Sequence, residues 1–591
     1  MKIHYLTCFF TFLLFIACKE KVTLFTQIPS SESGIHFNNN IVENDSINPL
    51  DLTNIYNGGG VGIGDFNNDG LQDVYFTGNM VSNKLYLNKG DFKFDDITEE
   101  AGVTGNGKWC RGVSVVDINN DGWLDIYVCA TINNNPELRR NLLYINQGLE
   151  KNGIPHFKEM AREYGLGDTL YSTMAAFFDY DNDGDLDLFV AGRVYPWNYP
   201  KPVSCVIYRN DTKDGKIKFT DVTAEVAKPL LSIGMVSDAI WTDFDNDGWQ
   251  DLVLAGEWMP IKFLKNDHGQ FRDITSTSQI ANQVGWWNSI TAGDFDNDGD
   301  IDYVVSNLGE NSFYKTSDKY PVSIYAKDFY NRGVVQCMLT SYIKDKQGGE
   351  LKEFVTDARD DVISQLPFLK KRFLSYKNFG EATFDQLFTP KELEDATKYT
   401  ANNFKSSFIR NNGNGTFTME PLPDMAQYSA INGMITDDFD GDGNLDICMN
   451  TNDFGTVPSF GRYDALNGLM LKGDGKGKFT ALNILQSGIF IPGNGKALVK
   501  LRGSNGKYLI AASQNKGSLK VFQLNKNCNF LSLHSDDVSA IIVYKDGRRQ
   551  KRETGYGNSF LSQSARFITI DNTISSVEIT NSKGKTRKVT P

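Results

Sequence analysis

The stretch DFDNDGDIDYVVSN, residues 294–307, sets five aspartates within nine positions and then turns abruptly apolar. Close variants of its first nine residues occur six times: DFNNDGLQD (65–73), DINNDGWLD (117–125), DYDNDGDLD (179–187), DFDNDGWQD (243–251), DFDNDGDID (294–302) and DFDGDGNLD (438–446). Their first aspartates are spaced by 52, 62, 64, 51 and 144 residues. Periods of about 50 residues mark a chain built from one supersecondary unit per repeat. A degenerate copy, LRGSNGKYL (501–509), begins 63 residues after the sixth.

A second string alternates with the first. It reads FKFDDIT (92–98), KFTDVT (218–223) and QFRDIT (270–275), and more weakly HFKEM (156–160), TFTMEPL (416–422) and KFTALNI (478–484); LFTQIPSSESGI (24–35) is the first of the set. Each unit therefore reads strand, acidic loop, strand, strand, turn, strand. Four antiparallel strands per unit is the pattern of a β-propeller blade. The expected fold is all-β: a seven-bladed propeller over 25–525, the decayed loop belonging to the seventh blade. The long gap is read as an insertion over about 315–405, a hairpin followed by helix. Thr389-Pro390-Lys391-Glu392 has capping-box form, and LPFLKKRFLSY and ATFDQLF have helical apolar spacing. DFYNRGVVQ (328–336) resembles another decayed acidic loop, so an eight-bladed ring is the second reading.

Calcium takes six to eight oxygen ligands, and D-x-[DN]-x-D-G-x-x-D supplies them from positions 1, 3, 5 and 9, with a backbone carbonyl at position 7. The expected ligands are Asp65, Asn67, Asp69, Leu71 and Asp73; Asp117, Asn119, Asp121, Trp123 and Asp125; Asp179, Asp181, Asp183, Asp185 and Asp187; Asp243, Asp245, Asp247, Trp249 and Asp251; Asp294, Asp296, Asp298, Asp300 and Asp302; and Asp438, Asp440, Asp442, Asn444 and Asp446. Gly at position 6 permits the left-handed turn around the ion. An EF-hand needs a bidentate Glu at position 12, where this chain has Phe76, Val128, Val190, Leu254, Val305 and Met449. The decayed copy offers Leu501, Gly503, Asn505 and Leu509, and no calcium is expected there.

Net charge is −13 over 591 residues, which speaks against nucleic acid as partner. About six structural Ca2+ ions would nearly cancel it. The eight cysteines include no CxxC; Cys110 and Cys129 could pair across a hairpin or stay as buried thiols. At the start, MKIHYLTCFFTFLLFIACKEK has a short apolar run ending in Leu14-Phe15-Ile16-Ala17-Cys18. It resembles a lipoprotein signal, residues 1–17, with lipidation at Cys18 and a tether over 18–24. The alternatives are an ordinary secretory signal or a buried apolar segment.

The loops and their blade pattern resemble the FG-GAP/VCBS repeats of α-integrin-type propellers over residues 24–525, although the literal Phe-Gly…Gly-Ala-Pro string is not present. GYGNSFLSQSARFITI (555–570) and SSVEITNSKGKTRKV (575–589) resemble the ASPIC/UnbV module that follows such propellers in the cartilage acidic protein family. This implies a compact β domain over 528–591, in which KDGRRQKRE reads as a solvated hairpin. The resemblance also implies that the acidic hairpins share one face. The opposite face would carry Trp109, Arg111, Tyr171, Trp286, Trp287, Asn288 and Asn432 around the mouth, and Arg193, Tyr195, Trp197, Tyr199, Trp258, Phe460, Arg462 and Tyr463 on outer loops.

The functional expectation is a calcium-stabilised, lipid-anchored outer-membrane protein, periplasmic or at the cell surface. It would present that face to a glycan or protein, possible ligand contacts being Trp109, Arg111, Tyr171, Trp197, Trp258, Trp286, Trp287, Asn288 and Asn432. A role beside polysaccharide uptake fits the same features by family analogy. The alternative is a polysaccharide lyase or hydrolase. The chain has five histidines, none in a catalytic string, and Glu257 and Asp453 are the least implausible carboxylates. A third reading is an assembly factor that docks a partner through the insertion.

Overall fold

The computed structural model describes residues 22–49, 52, 55–456 and 460–591. The expected signal segment and Cys18 lie outside them.

Each acidic loop joins the first two strands of a four-stranded antiparallel sheet. The first sheet consists of Val61–Gly64, Asp73–Phe76, Lys84–Asn88 and Phe94–Asp96, in chain order. Five more sheets repeat that order, starting at Cys110, Ser172, Met235, Ile290 and Ile431, and the one starting at Met235 carries a fifth strand, Val284–Trp286, paired with Asp251–Pro260. A last sheet holds Asn494–Arg502, Lys507–Asn515 and Gly517–Asn527, and takes its outermost strand, Phe25–Ile28, from the other end of the chain. Phe25 stands opposite Leu524, and Ile28 opposite Val521. The first strands of these seven sheets neighbour one another in cyclic order, the last returning to the first. The result is a closed, propeller-like ring whose sheets leave only short outer edges.

The cores lie between consecutive sheets. Phe66, Tyr75 and Leu85 of the first pack on Val113, Ile126 and Val128 of the second; Phe189 and Cys205 of the third pack on Trp241 and Leu254 of the fourth. The position-12 residues Phe76, Val128, Val190, Leu254, Val305 and Met449 are all buried. Strands covered on both faces read as continuous apolar runs, which explains the abrupt change after each acidic loop.

The insertion differs from the expected hairpin plus helix. It contains its own four-stranded sheet, Leu351–Val355, Gln336–Lys344, Val322–Lys327 and Thr397–Ala401 in spatial order, and four short helices within 359–387. DFYNRGVVQ turns between two of these strands, outside the ring. The Thr389 capping box does form, with the Glu392 amide donating to Thr389 Oγ1 and the Thr389 amide to Glu392 Oε2. No α-helix follows, because Asp395 takes φ +61° and redirects the chain into Thr397–Ala401. Cys110 and Cys129 are buried free thiols.

The C-terminal region holds a four-stranded sheet, Arg549–Glu553, Asp537–Tyr544, Ile574–Asn581 and Thr586–Val589, beside a two-stranded pair, Asn529–Ser532 with Phe567–Ile570. It is not self-contained. Between Glu553 and Phe567 the chain leaves the sheet and fills the bore of the ring. Gln563 exchanges backbone hydrogen bonds with Val61 and Ile63, the Leu561 carbonyl accepts from the Val113 amide, and the Ala565 amide donates to the Lys500 carbonyl. The Ser559 hydroxyl donates to the Leu498 carbonyl. Gly557 lies against the third sheet, where a Cβ would come within 2.6 Å of Ala176 Cβ. Phe560 and Leu561, near the tip, are buried.

Candidate metal centres and the cavity opposite them

All six acidic loops fold alike, and backbone conformation accounts for the spacing. Position 6 is glycine with φ of 83–102° in every copy. Position 4 is Asn68, Asn120, Asn182, Asn246 or Asn297, with φ of 55–60°, or Gly441 at +84°. Asn and Gly tolerate this left-handed region best. The position-4 requirement is written in the sequence but was not among the expected determinants.

Hydrogen bonds aim the carboxylates inward. In the fourth loop the Asp247 and Gly248 amides donate to the two oxygens of Asp243, both at 3.0 Å, and the Trp249 amide donates to Asp247 at 2.9 Å. One oxygen from each of Asp179, Asp181 and Asp187 converges within 4.8 Å of the others; so do Asp243, Asp245 and Asp251, Asp294, Asp296 and Asp298, and Asp438, Asp440 and Asp446. Asp179, Asp181, Asp185 and Asp296 each keep one buried carboxylate oxygen without a hydrogen-bond donor. Such a donor set fits a hard cation. In the first two loops Asn67 and Asn119 stand at position 3, each donating an amide N–H to the position-5 aspartate.

Position 9 has a second role. Asp73, Asp125, Asp187, Asp251, Asp302 and Asp446 are buried. Each accepts a backbone N–H from position 2 and another from the third strand, as Asp251 does from Phe244 and Asn266. Burial pushes Asp73, Asp125, Asp251, Asp302 and Asp446 up to about 8 and Asp187 to about 9; the neighbouring loop carboxylates push the same way, and the donated N–H groups oppose them.

Two further sets of residues were not foreseen. Asn88, Asn210, Asn266 and Asn411 end the third strand of their sheets and Asn146 lies within that of the second, and the side chain of each donates to the position-8 carbonyl of its own loop. Asn146, Asn266 and Asn411 also donate to the preceding sheet, at the carbonyls of Phe66, Tyr180 and Phe244. Their signal was visible as a recurrent Asn closing KLYLN, LLYIN, VIYRN, KFLKN and SFIRN. Just before that position, Lys265 pairs with Asp245 and Asp247, Arg410 with Asp296, and Lys472 with Asp440 and Asp442.

The C-terminal sheet covers part of this acidic face. The Lys551 amide donates to Asp294 Oδ2 at 2.9 Å, the Asp243 amide donates to Glu553 Oε1 at 2.7 Å, and Gln550 donates to Asn297 Oδ1 at 2.7 Å. KDGRRQKRE is thus a docked strand rather than the expected solvated hairpin.

On the opposite face a cavity of about 150 Å³ opens over the bore, with Phe560 in its lining. Arg111, Arg193, Glu257, Trp286, Asn288, Asn432, Asp453 and Lys496 also line it. Arg193 pairs with Glu257, to which the Tyr199 hydroxyl also donates; Lys496 Nζ lies 3.7 Å from Asp453. Burial draws the Arg111 guanidinium well below its ordinary range, and Arg193 adds to the effect.

The expected ligand residues divide. Trp109 is buried among Ile41, Leu52, Ile55 and Ile132 and donates its indole N–H to Asn57, so it is a packing residue. Trp287 is 0% exposed, in the core between the fourth and fifth sheets. Tyr171 is covered by Tyr195 and Arg139. Trp258 packs edge-on against Trp286 and donates to the Tyr199 hydroxyl. Asn288 donates to Asn432 and the Ile431 carbonyl, and Asn432 to the carbonyls of Asn452 and Gly495, so both link neighbouring sheets. Trp197 is 43% exposed and stands apart from the cavity. No described helix is long and apolar enough to cross a membrane.

The ring and its loops define an all-β, propeller-like protein carrying FG-GAP repeats. A family model described as "FG-GAP-like repeat" matches residues 65–128 and 243–305. Cartilage acidic protein 1 of Xenopus tropicalis is 30% identical over 223 residues, covering 36% of this chain and 32% of the relative. The human protein of the same name is 28% identical over 222 residues, covering 36% and 31%. The chain thus spans about a third of the length of the curated relatives it matches. Together these matches support an FG-GAP propeller with an ASPIC/UnbV-like C-terminal region. Among solved structures, the V. cholerae biofilm matrix protein Bap1 is similar at a TM-score of 0.34 and 12% identity, covering 91% of this chain and all of that one. The exotype rhamnogalacturonan lyase YesX also gives 0.34 and 12%, covering 78% and 71%. At such scores neither likeness bears on function here.

Proposed function

We propose that this chain is an exported binding protein, held to the outer membrane by lipid on Cys18, whose ring is stiffened by calcium and whose cavity-bearing face meets a glycan or protein. The observation that carries this reading is the division of the ring. Carboxylate loops and the C-terminal sheet occupy one face, while the other holds a cavity with charged and aromatic lining. Calcium would be held by the six loops, where it would neutralise converging carboxylates and fix hairpins that have little apolar core of their own. The chain's own residues supply the rest: position-4 and position-6 turns aim the carboxylates, and the third-strand asparagines tie each loop to its sheet. The relatives' name, cartilage acidic protein, fits an extracellular setting.

The test pairs two measurements on the purified protein. Metal analysis should return about six calcium ions per chain, one for each intact loop, with a melting temperature that falls when chelator is added. A glycan array should give a signal that weakens in Trp286→Ala. Absence of calcium, together with a chelator-insensitive melt, overturns the stabilising role; a blank array overturns the glycan arm.

A second reading has one observation behind it: Glu257 and Asp453, the two carboxylates considered for catalysis, line the same cavity. Polysaccharide turnover that disappears in Glu257→Gln would establish an enzyme instead.

A further inference from the structure

We propose that the cavity over the bore is a carboxylate-binding site, built around Arg111 and suited to the acid group of a uronic-acid residue in a glycan. The inference rests on the binding-face reading and deepens it by naming the chemical class bound.

Arg111 is 3% exposed. Its Nη1 donates to Thr173 Oγ1 at 3.2 Å, while Nε and Nη2 are buried with no hydrogen-bond partner. Nε–H and Nη2–H are the two parallel donors along one edge of a guanidinium, the edge whose spacing matches the two oxygens of a carboxylate. Removing two charge-bearing donors from water without partners is costly. A carboxylate would satisfy both at once.

The nearby acids are already engaged. Glu257 takes Arg193 and Tyr199, and Asp453 faces Lys496. Asp238 accepts the amides of Ala239 and Ile290, and burial pushes it up to about 7. None of them supplies a hydrogen bond to the open edge of Arg111. Two other buried donors of cavity-lining residues lack a partner: Arg193 Nε and the indole N–H of Trp286. The Trp286 ring is held edge-on by Trp258 and Tyr314 and lies against Phe404. A flat, fixed indole beside guanidinium donors suits a sugar ring, offering an apolar face and directional hydrogen bonds. This favours an acidic sugar over the terminal carboxylate of a peptide.

The experiment is calorimetric titration of the full-length protein in calcium with methyl β-D-glucuronide, methyl β-D-glucoside, N-acetylglycine and N-acetylglycinamide. The glucuronide should bind at least about 30-fold more tightly than the glucoside, because only it satisfies the charged donors. Arg111→Gln should cost about tenfold or more, and Arg111→Lys should not restore the loss, since a lysine keeps the charge without the paired edge. Trp286→Phe keeps an aromatic face but removes the N–H together with the pyrrole half of the indole; it should weaken glucuronide by about fivefold, more than it weakens glucoside, and it serves as the readout if Arg111 variants do not fold. Equal affinity for glucuronide and glucoside, binding of neither, or unchanged affinity in both Arg111→Gln and Trp286→Phe overturns the proposal. Tighter binding of N-acetylglycine than of glucuronide assigns the site to peptides and overturns it as well. A glycan-array signal indifferent to carboxylates and to Arg111→Gln would remove this site while leaving the binding face in place. Glucuronide binding with a blank array would keep the site and remove the glycan reading of the wider face.

Discussion

The backbone amide of Lys551 donates to Asp294, the first residue of the fifth acidic loop, so one carboxylate serves both a candidate metal site and the docking of the C-terminal sheet. Lys551 lies on an edge strand paired only with Asp537–Tyr544, and its N–H points away from that partner. Lys551→Pro removes this donor and spares the strand pairing. Losing a hydrogen bond to a charged acceptor should cost about 1.5–3 kcal/mol. The expected result is faster proteolysis and hydrogen exchange within 528–591 than in Lys551→Ala, which keeps the amide. Identical protection in the two variants would show that the contact contributes nothing.

Lys265 and Lys472 place their ammonium groups on the position-3 and position-5 carboxylates of the fourth and sixth loops. They balance loop charge, and would compete with a cation bound at those carboxylates. Replacing both with methionine should lower the melting temperature in chelator and enlarge the rise on adding calcium. Calcium affinity at those two loops should increase several-fold, about 1 kcal/mol per removed partially exposed pair. A melting curve unchanged in chelator would sink this account.

Asn266 joins two sheets, since its side chain donates to the Gln250 carbonyl of its own loop and to the Tyr180 carbonyl of the third sheet. Asn266→Ala leaves two carbonyls unsatisfied and should destabilise by about 1–3 kcal/mol. Chemical denaturation should show the loss at saturating calcium too, because the contact is independent of the ion. A loss seen only in chelator would mean that the residue acts through the metal site.

Asp238 contributes a pH dependence of its own, separate from that of the loop carboxylates. It is buried, and burial raises it from 3.8 to about 7, against the pull of two backbone N–H donors and Arg111. A raised folded value means that the unfolded chain gives up its proton first. The contribution is therefore fully present below about pH 4 and is lost as pH rises through 7. Stability measured at fixed calcium should decline between pH 5 and pH 8 by an amount that Asp238→Asn abolishes. That variant should be weaker at pH 5, where its amide nitrogen faces a backbone N–H, yet flatter across the range. An unchanged slope in Asp238→Asn would locate the titration elsewhere.

Much of this architecture could be read along the chain because it repeats. A left-handed glycine, a carboxylate at every second position and an apolar run are local requirements, and six copies reveal them. Asn266 and its counterparts repeat as well, but their partners lie on another sheet, and spacing alone does not disclose a contact across sheets. Trp109 illustrates the opposite difficulty. Position near the mouth suggested a ligand contact, whereas three of the apolar residues that bury it, Ile41, Leu52 and Ile55, come from a segment without a repeat. The filling of the bore by 554–566 had no periodic signal at all, since it happens once and its partners are backbone groups of distant first strands.

The strand that shuts the ring, Phe25–Ile28, is made some five hundred residues before its partner, Gly517–Asn527. Until then the nascent protein is an unsealed arc whose first sheet shows bare apolar flanks, such as Phe76 and Phe94, to its surroundings. Pairing across so much chain is slow. Closure of the ring should therefore come late in folding and depend on whatever shields that arc in the meantime.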